Sequence, residues 1–294
     1  MAGLDRRSVL TALGTVGLLG CSRRESPVAA PTVQVFDLSD MEAAHGGRLG
    51  FAARDTATGR TLVWRGEERF VYCSTFKAYL AAATLIPIQN GLERLDRRIP
   101  ISAEDLVYHA PVTGPAVGSS LSVEDLMKGT VEVSDNPAAN LLLNAMGGLE
   151  PMRAFYRSLG DETTRVDRFE PQMNRLDGDK DTILPLQSLE NLQRLFVSDE
   201  TPLSPQSKDL LLQWMFDSPT GAGRLKAGVP DGWRVAHKTG TGGYGPTNDI
   251  GLLYPPAGAP IVAAAYYHAE TDAPANDAVI AEATRRALEA LGHG

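Results

Sequence analysis

Ser74-Thr75-Phe76-Lys77-Ala78-Tyr79-Leu80-Ala81-Ala82-Ala83-Thr84-Leu85-Ile86-Pro87-Ile88-Gln89 is the stretch on which the fold turns. Phe76, Tyr79, Leu80, Ala83, Leu85 and Ile86 recur at near-helical spacing, which predicts a helix ended by Asn90-Gly91. Upstream, Arg48 to Asp55 and Arg60 to Arg65 read as strands joined by the turn Thr56-Ala57-Thr58-Gly59, a hairpin. Downstream, helices are expected over Val123 to Val131, Pro137 to Met146, Leu186 to Val197 and Ser204 to Phe216. Strand character returns at Trp233 to Thr239, Asp249 to Tyr254 and Ile261 to His268, and Asp277 to Leu291 closes the chain as a helix. Strands at both ends with helices between them predict a mixed α/β (α+β) fold. One antiparallel sheet is assembled from both termini, a helical region is inserted, and the active site falls at the seam.

Three short patterns sit at chemically useful places in that outline. In Ser74-Thr75-Phe76-Lys77, serine and lysine share one helix face, a turn apart. A helix start supplies free backbone N–H groups, and a desolvated lysine can assist proton transfer from a hydroxyl. Taken alone, the pattern also fits an N-cap followed by a surface lysine. In Ser134-Asp135-Asn136 the first and third side chains can face one cleft, a hydroxyl to relay a proton to a leaving nitrogen and a side-chain amide to bind a substrate amide. The same three residues are good helix caps. In Lys238-Thr239-Gly240-Thr241-Gly242, alternation turns lysine and the threonines to opposite faces of a strand. Glycine lets a ligand approach the backbone, and the cation and hydroxyls suit a carboxylate. An ordinary strand end would read the same way.

Together, in this order and at these separations, the three patterns resemble the signature set of class A β-lactamases and penicillin-binding proteins. The flanks Glu68-Arg69-Phe70, Pro137-Ala138-Ala139-Asn140 and Asn248-Asp249-Ile250-Gly251 fit as well, so the resemblance covers essentially the whole chain beyond its leader. A fourth segment, Arg168-Phe169-Glu170-Pro171-Gln172-Met173-Asn174, resembles the class A omega loop and separates the two families. The resemblance implies a serine β-lactamase/transpeptidase-like fold and hydrolysis of penicillin- and cephalosporin-type antibiotics through a serine acyl-enzyme, conferring resistance. Ser74 is then the nucleophile, and either Lys77 or Glu170 is the acylation base. The backbone N–H groups of Ser74 and Thr241 form the oxyanion hole. Ser134 passes a proton to the ring nitrogen, and Asn136 holds the drug's side-chain amide. Lys238, Thr239 and Thr241 bind its carboxylate, with Arg224 as a second cation nearby. Glu170 and Asn174 hold the deacylating water. Asp135 and Asn140 are expected to be structural.

The departures from the family pattern are local. Met173 replaces a leucine, a nearly volume-neutral change. The stretch from Asn174 to Asp181 is two residues shorter, with Asp181 still able to pair with Arg168. His109 stands where a cleft-entrance tyrosine or tryptophan is usual, which predicts weaker stacking there unless it is simply a solvated loop histidine. Thr247 replaces an arginine, and Gly242 stands where some carbapenem-hydrolysing members carry a cysteine facing the position of Cys73. Two other readings share acylation at Ser74. A penicillin-binding D,D-peptidase lacks the deacylating pair, and a β-lactam sensor needs a transmembrane signalling helix that residues 22–294 do not contain.

The first thirty residues read as an address. Arg6-Arg7 precede an apolar run from Val9 to Gly20, too short to span a bilayer. Asp5 to Leu10 resembles a twin-arginine signal, and Leu18-Leu19-Gly20-Cys21 resembles a lipobox with Cys21 as the lipidated residue. Residues 1–21 are thus expected to be a signal peptide, 22–34 a tether, and 35–294 the catalytic domain. Export to the periplasm or cell envelope follows, with membrane contact only through Cys21. Losing the leader removes one aspartate and two arginines, taking the net charge from −8 to −9. That acidity excludes nucleic acid as a partner. With Cys21 lipidated, Cys73 is left alone among the two cysteines, and no disulfide is expected. The five histidines are scattered, so no metal or other cofactor is expected, and the enzyme should act as a monomer.

Overall fold

The computed structural model describes residues 32–243, 245–269 and 273–294. The expected signal peptide, Cys21 and most of the expected tether lie outside them. The chain opens with β1 (Thr32–Val35), α1 (Ser39–His45), β2 (Arg48–Asp55), β3 (Arg60–Trp64) and the short β4 (Phe70–Val71). The helical region follows: α2 (Phe76–Gln89), the paired β5 (Arg98–Pro100) and β6 (Ser120–Ser122), α3 (Val123–Glu132), α4 (Asn136–Met146) and α5 (Leu149–Ser158). It continues through β7 (Thr182–Ile183), α6 (Pro185–Leu192), which runs into a π-turn over Gln193–Val197, and α7 (Pro205–Asp217). The chain then returns through α8 (Leu225–Gly228), β8 (Arg234–Thr241), β9 (Pro246–Tyr254), β10 (Ile261–His268) and α9 (Asp277–Leu291).

The main sheet has six strands in the order β1-β3-β2-β10-β9-β8. β10 lies beside β2, so the two ends of the chain meet at the centre of one sheet, as the strand pattern predicts. All neighbours are antiparallel except β1, which runs parallel to β3 and takes in Thr32, Val33 and Gln34 at the end of the expected tether. Both faces of the sheet are covered, which is why its strands read as nearly continuous apolar runs. Period-2 alternation divides them: Ala52, Ile250, Leu252, Val262, Ala264 and Tyr266 face the helical region. Leu49, Phe51, Leu253, Ala263, Ala265 and Tyr267 face α9. Alanines in β10 let helices sit close on either side.

Helix α2 runs through the middle of the helical region, and every residue from Phe76 to Leu85 is buried. An apolar helix of this kind belongs in a core rather than on a surface. Asn90 and Gly91 end it, the glycine at φ +72°. The consequence for the site is that Lys77, at the start of α2, is carried inside the protein with no exposed surface.

Candidate active site

Ser74 sits in a single 3-10 turn, Cys73–Thr75, that leads directly into α2. Lys77, one turn later, points its ammonium at four oxygens. Nζ donates to the Ser134 carbonyl at 2.8 Å, Asn136 Oδ1 at 2.5 Å and Ser134 Oγ at 3.3 Å, and it lies 3.1 Å from Glu170 Oε1. Ser74 Oγ donates to the same Glu170 oxygen at 3.5 Å. The first, second and omega-loop motifs therefore meet at one buried point. Burial pulls the Lys77 ammonium below the usual lysine range, and the Glu170 carboxylate opposes that pull. A lysine held this way gives up its proton more readily than a surface lysine.

The second motif works as a corner. Ser134 has φ +62°, a left-handed conformation that turns its side chain back towards the lysines. Asp135 caps α4 through the Ala138 N–H and also accepts from the Val112 and Thr113 N–H groups and the Thr113 hydroxyl. It is a structural residue, as the cap reading has it. Asn136 is the first residue of α4 rather than part of the break, and its Nδ2 donates to the Tyr108 carbonyl at 2.8 Å.

The third motif lies on β8, the edge strand. Lys238 Nζ donates to Ser134 Oγ at 3.2 Å, so the Ser134 hydroxyl sits between two lysines. Burial, and next the Lys77 charge, push the Lys238 ammonium well below the ordinary lysine range. A Cβ on Gly240 would lie 2.6 Å from the Tyr72 carbonyl and 3.0 Å from Thr75 N, so only glycine lets β8 come up against the Ser74 turn. The Gly242 N–H donates to Pro246 across the sheet. Antiparallel alternation then turns the Thr241 N–H away from β9, to the free edge of the sheet.

The omega loop is closed at its neck by Arg165 N–H to the Thr182 carbonyl. Asp181, fully buried, accepts from the Asp167 and Arg168 N–H groups, from Arg168 Nε at 2.5 Å and from the Tyr72 hydroxyl. The expected Arg168–Asp181 ion pair is present. Asn140 clamps the Glu170 backbone from α4 with two bonds, Nδ2 to the carbonyl and Oδ1 from the N–H. Asn174 Nδ2 donates to Glu170 Oε2, while its Oδ1 is buried without a partner.

Ser74, Ser134, Asn136, Asn174, Thr239 and Thr241 line a cleft of about 850 Å³ together with Tyr108, His109, Thr220 and Gly221, and Lys77, Glu170 and Lys238 lie buried behind that lining. His109 has φ +67° and its ring is pinned to the Val133 carbonyl at 2.8 Å, whereas Tyr108 stands exposed at the rim. Arg224 lines the cleft but is not a free cation. Its donors go to Asp277, the carbonyls of Gly240 and Asn248, and Thr241 Oγ1. It stands behind Thr241 and orients it. Thr220, whose hydroxyl meets Thr239 Oγ1 at 2.9 Å, carried no signal in the sequence. Cys73 is a buried free thiol. Among the described residues no cluster of His, Cys, Asp or Glu could hold a metal, and no helix is long and apolar enough to cross a membrane.

Residues 35–291 match the family model described as the beta-lactamase enzyme family. An ancestral class A β-lactamase is 50% identical, covers 86% of this chain and 98% of its own, and superposes with a TM-score of 0.82. This chain belongs to the class A serine β-lactamases. As a member of that class it is a serine hydrolase acting on β-lactams, which it opens through an acyl-enzyme, conferring antibiotic resistance. Among its relatives, the β-lactamase L2 of Stenotrophomonas maltophilia is 41% identical over 85% of this chain and 83% of its own. The β-lactamase OXY-2 of Klebsiella oxytoca is 39% identical over 86% and 88%. A class A β-lactamase structure from Mycobacterium abscessus matches at 41% identity, with a TM-score of 0.83 over 86% of this chain and 97% of that one. Class membership also gives the β-lactamase an exported, envelope-associated location.

Proposed function

We propose that this β-lactamase acylates on Ser74 and deacylates with Glu170. The observation that carries this reading is the convergence of Ser74 Oγ and Lys77 Nζ on one oxygen of the Glu170 carboxylate, at 3.5 and 3.1 Å. In acylation Ser74 Oγ bonds to the ring carbonyl carbon while its proton leaves towards Lys77 or Glu170, and both are within reach. The carbonyl oxygen takes up negative charge facing the N–H groups of Ser74 and Thr241, each such donor contributing roughly 10²–10³ in rate. The C–N bond then breaks, and the nitrogen receives its proton from the Ser134 hydroxyl, which the two neighbouring lysines can resupply. Lys238, Thr239 and Thr241 bind the carboxylate, with Arg224 orienting Thr241, and Asn136 holds the drug's amide. In deacylation Glu170 takes a proton from a water that Asn174 also holds. That water attacks the ester carbon, and Ser74 recovers its hydroxyl.

Steady-state hydrolysis of a penicillin, a cephalosporin and a carbapenem by the enzyme and by Ser74→Ala tests the assignment. The alanine enzyme should lose at least about 10³-fold in kcat/KM on every substrate the parent accepts. Hydrolysis that survives at the parental rate would remove Ser74 from the mechanism.

The lipobox supports cleavage after Gly20 and a lipid anchor on Cys21, the residue that closes the signal segment 1–21. The site's residues all come from one chain, which supports a monomeric working unit. In a host that processes lipoproteins, Cys21→Ser should move the enzyme from the membrane fraction to the soluble envelope fraction with activity intact. A parent protein that is already soluble after export and carries no acyl mass would overturn the anchor.

A further inference from the structure

Directly before Lys238, a histidine is buried against an aspartate. Neither His237 nor Asp249 has exposed surface, and His237 Nδ1 lies 2.8 and 2.9 Å from the two Asp249 oxygens. A carboxylate can only accept, so Nδ1 carries the proton and donates it. The other ring nitrogen, Nε2, is buried and has no partner. The ring is therefore held by a single polar attachment.

That attachment leads to the cleft. Asp249 Oδ2 also accepts the N–H of Leu225, the residue after Arg224. Arg224 in turn donates to Thr241 Oγ1 at 2.8 Å. The chain segment 218–224 lies against the same face of β8. A Cβ on Gly221 would fall 3.2 Å from His237 Cε1 and 2.3 Å from Thr239 Cγ2, so this segment rests directly on both side chains. Thr220, one residue earlier, meets the Thr239 hydroxyl. Asp249 is also the strongest influence that holds the Lys238 ammonium up against burial and the Lys77 charge. Every group assigned to the carboxylate subsite thus has a connection to the His237–Asp249 pair.

We propose that His237 is a positioning residue for the carboxylate side of the cleft, holding Asp249 and segment 218–225 so that Thr239 and Thr241 present their hydroxyls together. This rests on the assignment of Lys238, Thr239 and Thr241 to the substrate carboxylate. Glu170 and Asn174 stand on the omega loop, and among the described residues no hydrogen bond ties either of their side chains to His237 or Asp249.

The experiment compares benzylpenicillin with its methyl ester, which lacks the carboxylate charge, in the parent enzyme, His237→Leu, His237→Gln and His237→Asn. Leucine removes the donor, and glutamine carries it further from the backbone than Nδ1. Asparagine keeps a donor near the Nδ1 position. In the first two, kcat/KM for benzylpenicillin should fall about tenfold, the scale of one misplaced hydrogen bond, mostly through KM. The ester should change little, so the acid-to-ester ratio shrinks, and asparagine should restore most of it. A general loosening of the fold would lower both substrates in parallel, and a ratio unchanged in leucine and glutamine overturns the proposal. Failure of both to fold also overturns it, making the pair a requirement of the fold instead. A parent enzyme that does not distinguish acid from ester would refute the carboxylate assignment itself, a result separable from any effect of His237.

Discussion

A Glu170→Ala enzyme mixed with a penicillin will gain the mass of the drug on Ser74 and keep it. Glu170 is buried, its backbone is fixed by Asn140, and one of its oxygens faces Ser74 Oγ while the other meets Asn174. Removing the carboxylate leaves Ser74, Lys77, Ser134 and the β8 residues in place, so the acyl-enzyme still forms, more slowly if Glu170 also serves acylation. The water that should cleave the ester loses its base, and general-base catalysis is worth roughly 10²–10⁴-fold. Intact mass spectrometry within seconds of mixing should show the adduct on nearly all of the variant and on little of the parent at steady state. Adding Ser74→Ala to the same chain should abolish it. Turnover by Glu170→Ala at the parental rate would place the deacylating base elsewhere. A parent that itself held the adduct for hours would behave as a penicillin-binding peptidase or a sensor does.

The second large effect is expected at Arg168. Asp181 has no exposed surface, and Arg168 is the cation that compensates it. Taking away one partner of such a pair leaves a buried charge facing only neutral donors, at a cost of roughly 3 kcal/mol, the low end for a buried pair because Arg168 is itself one-fifth exposed. For a domain of this size that corresponds to a fall in Tm of roughly 5–6 °C. The kinetic effect should be uneven. Arg168 also binds the Arg175 carbonyl, so its loss slackens the part of the loop that carries Glu170 and Asn174. Arg168→Ala should therefore slow deacylation more than acylation, measured by stopped-flow acylation beside steady-state turnover. An unchanged Tm, or equal slowing of both steps, would show that the loop is held by its other bonds.

Much of this was legible in the chain because its signals are local. Ile261–His268 and Asp277–Leu291 stand as expected, each bounded by punctuation and carrying one period throughout. Helix α2 and its stop at Asn90-Gly91 are equally plain. The errors at element ends are of one to three residues, as with Asn136 opening α4, β8 running on to Thr241 and β9 beginning at Pro246 rather than Asp249, because residues at an element's end fit both states. The residues of the proposed site read out of motifs whose members lie within four residues of each other, and the folded chain brings those motifs together. What was missed depends on partners far apart in sequence. Arg224 reads as a second cation near the carboxylate, and only the folded chain shows Gly240, Thr241, Asn248 and Asp277 taking up its donors. Thr220 and the His237–Asp249 pair had no pattern to mark them. His109 reads either as a weaker stacking residue or as a solvated loop histidine, and the bond that ties its exposed ring to Val133 has no signal in the sequence.

The neighbouring placement of β2 and β10 also governs the order in which the molecule can be made. Their paired residues, Arg48 with His268 through Asp55 with Ile261, are separated by some two hundred positions. Contacts of that span form late, because the chain entropy of bringing the ends together must be overcome before any pairing is gained. A polypeptide still emerging from the ribosome can assemble the helices from α2 to α7, but β2 then presents a bare apolar edge with nothing to pair it. Until residues 261–268 arrive, that edge stays open to aggregation and to protease.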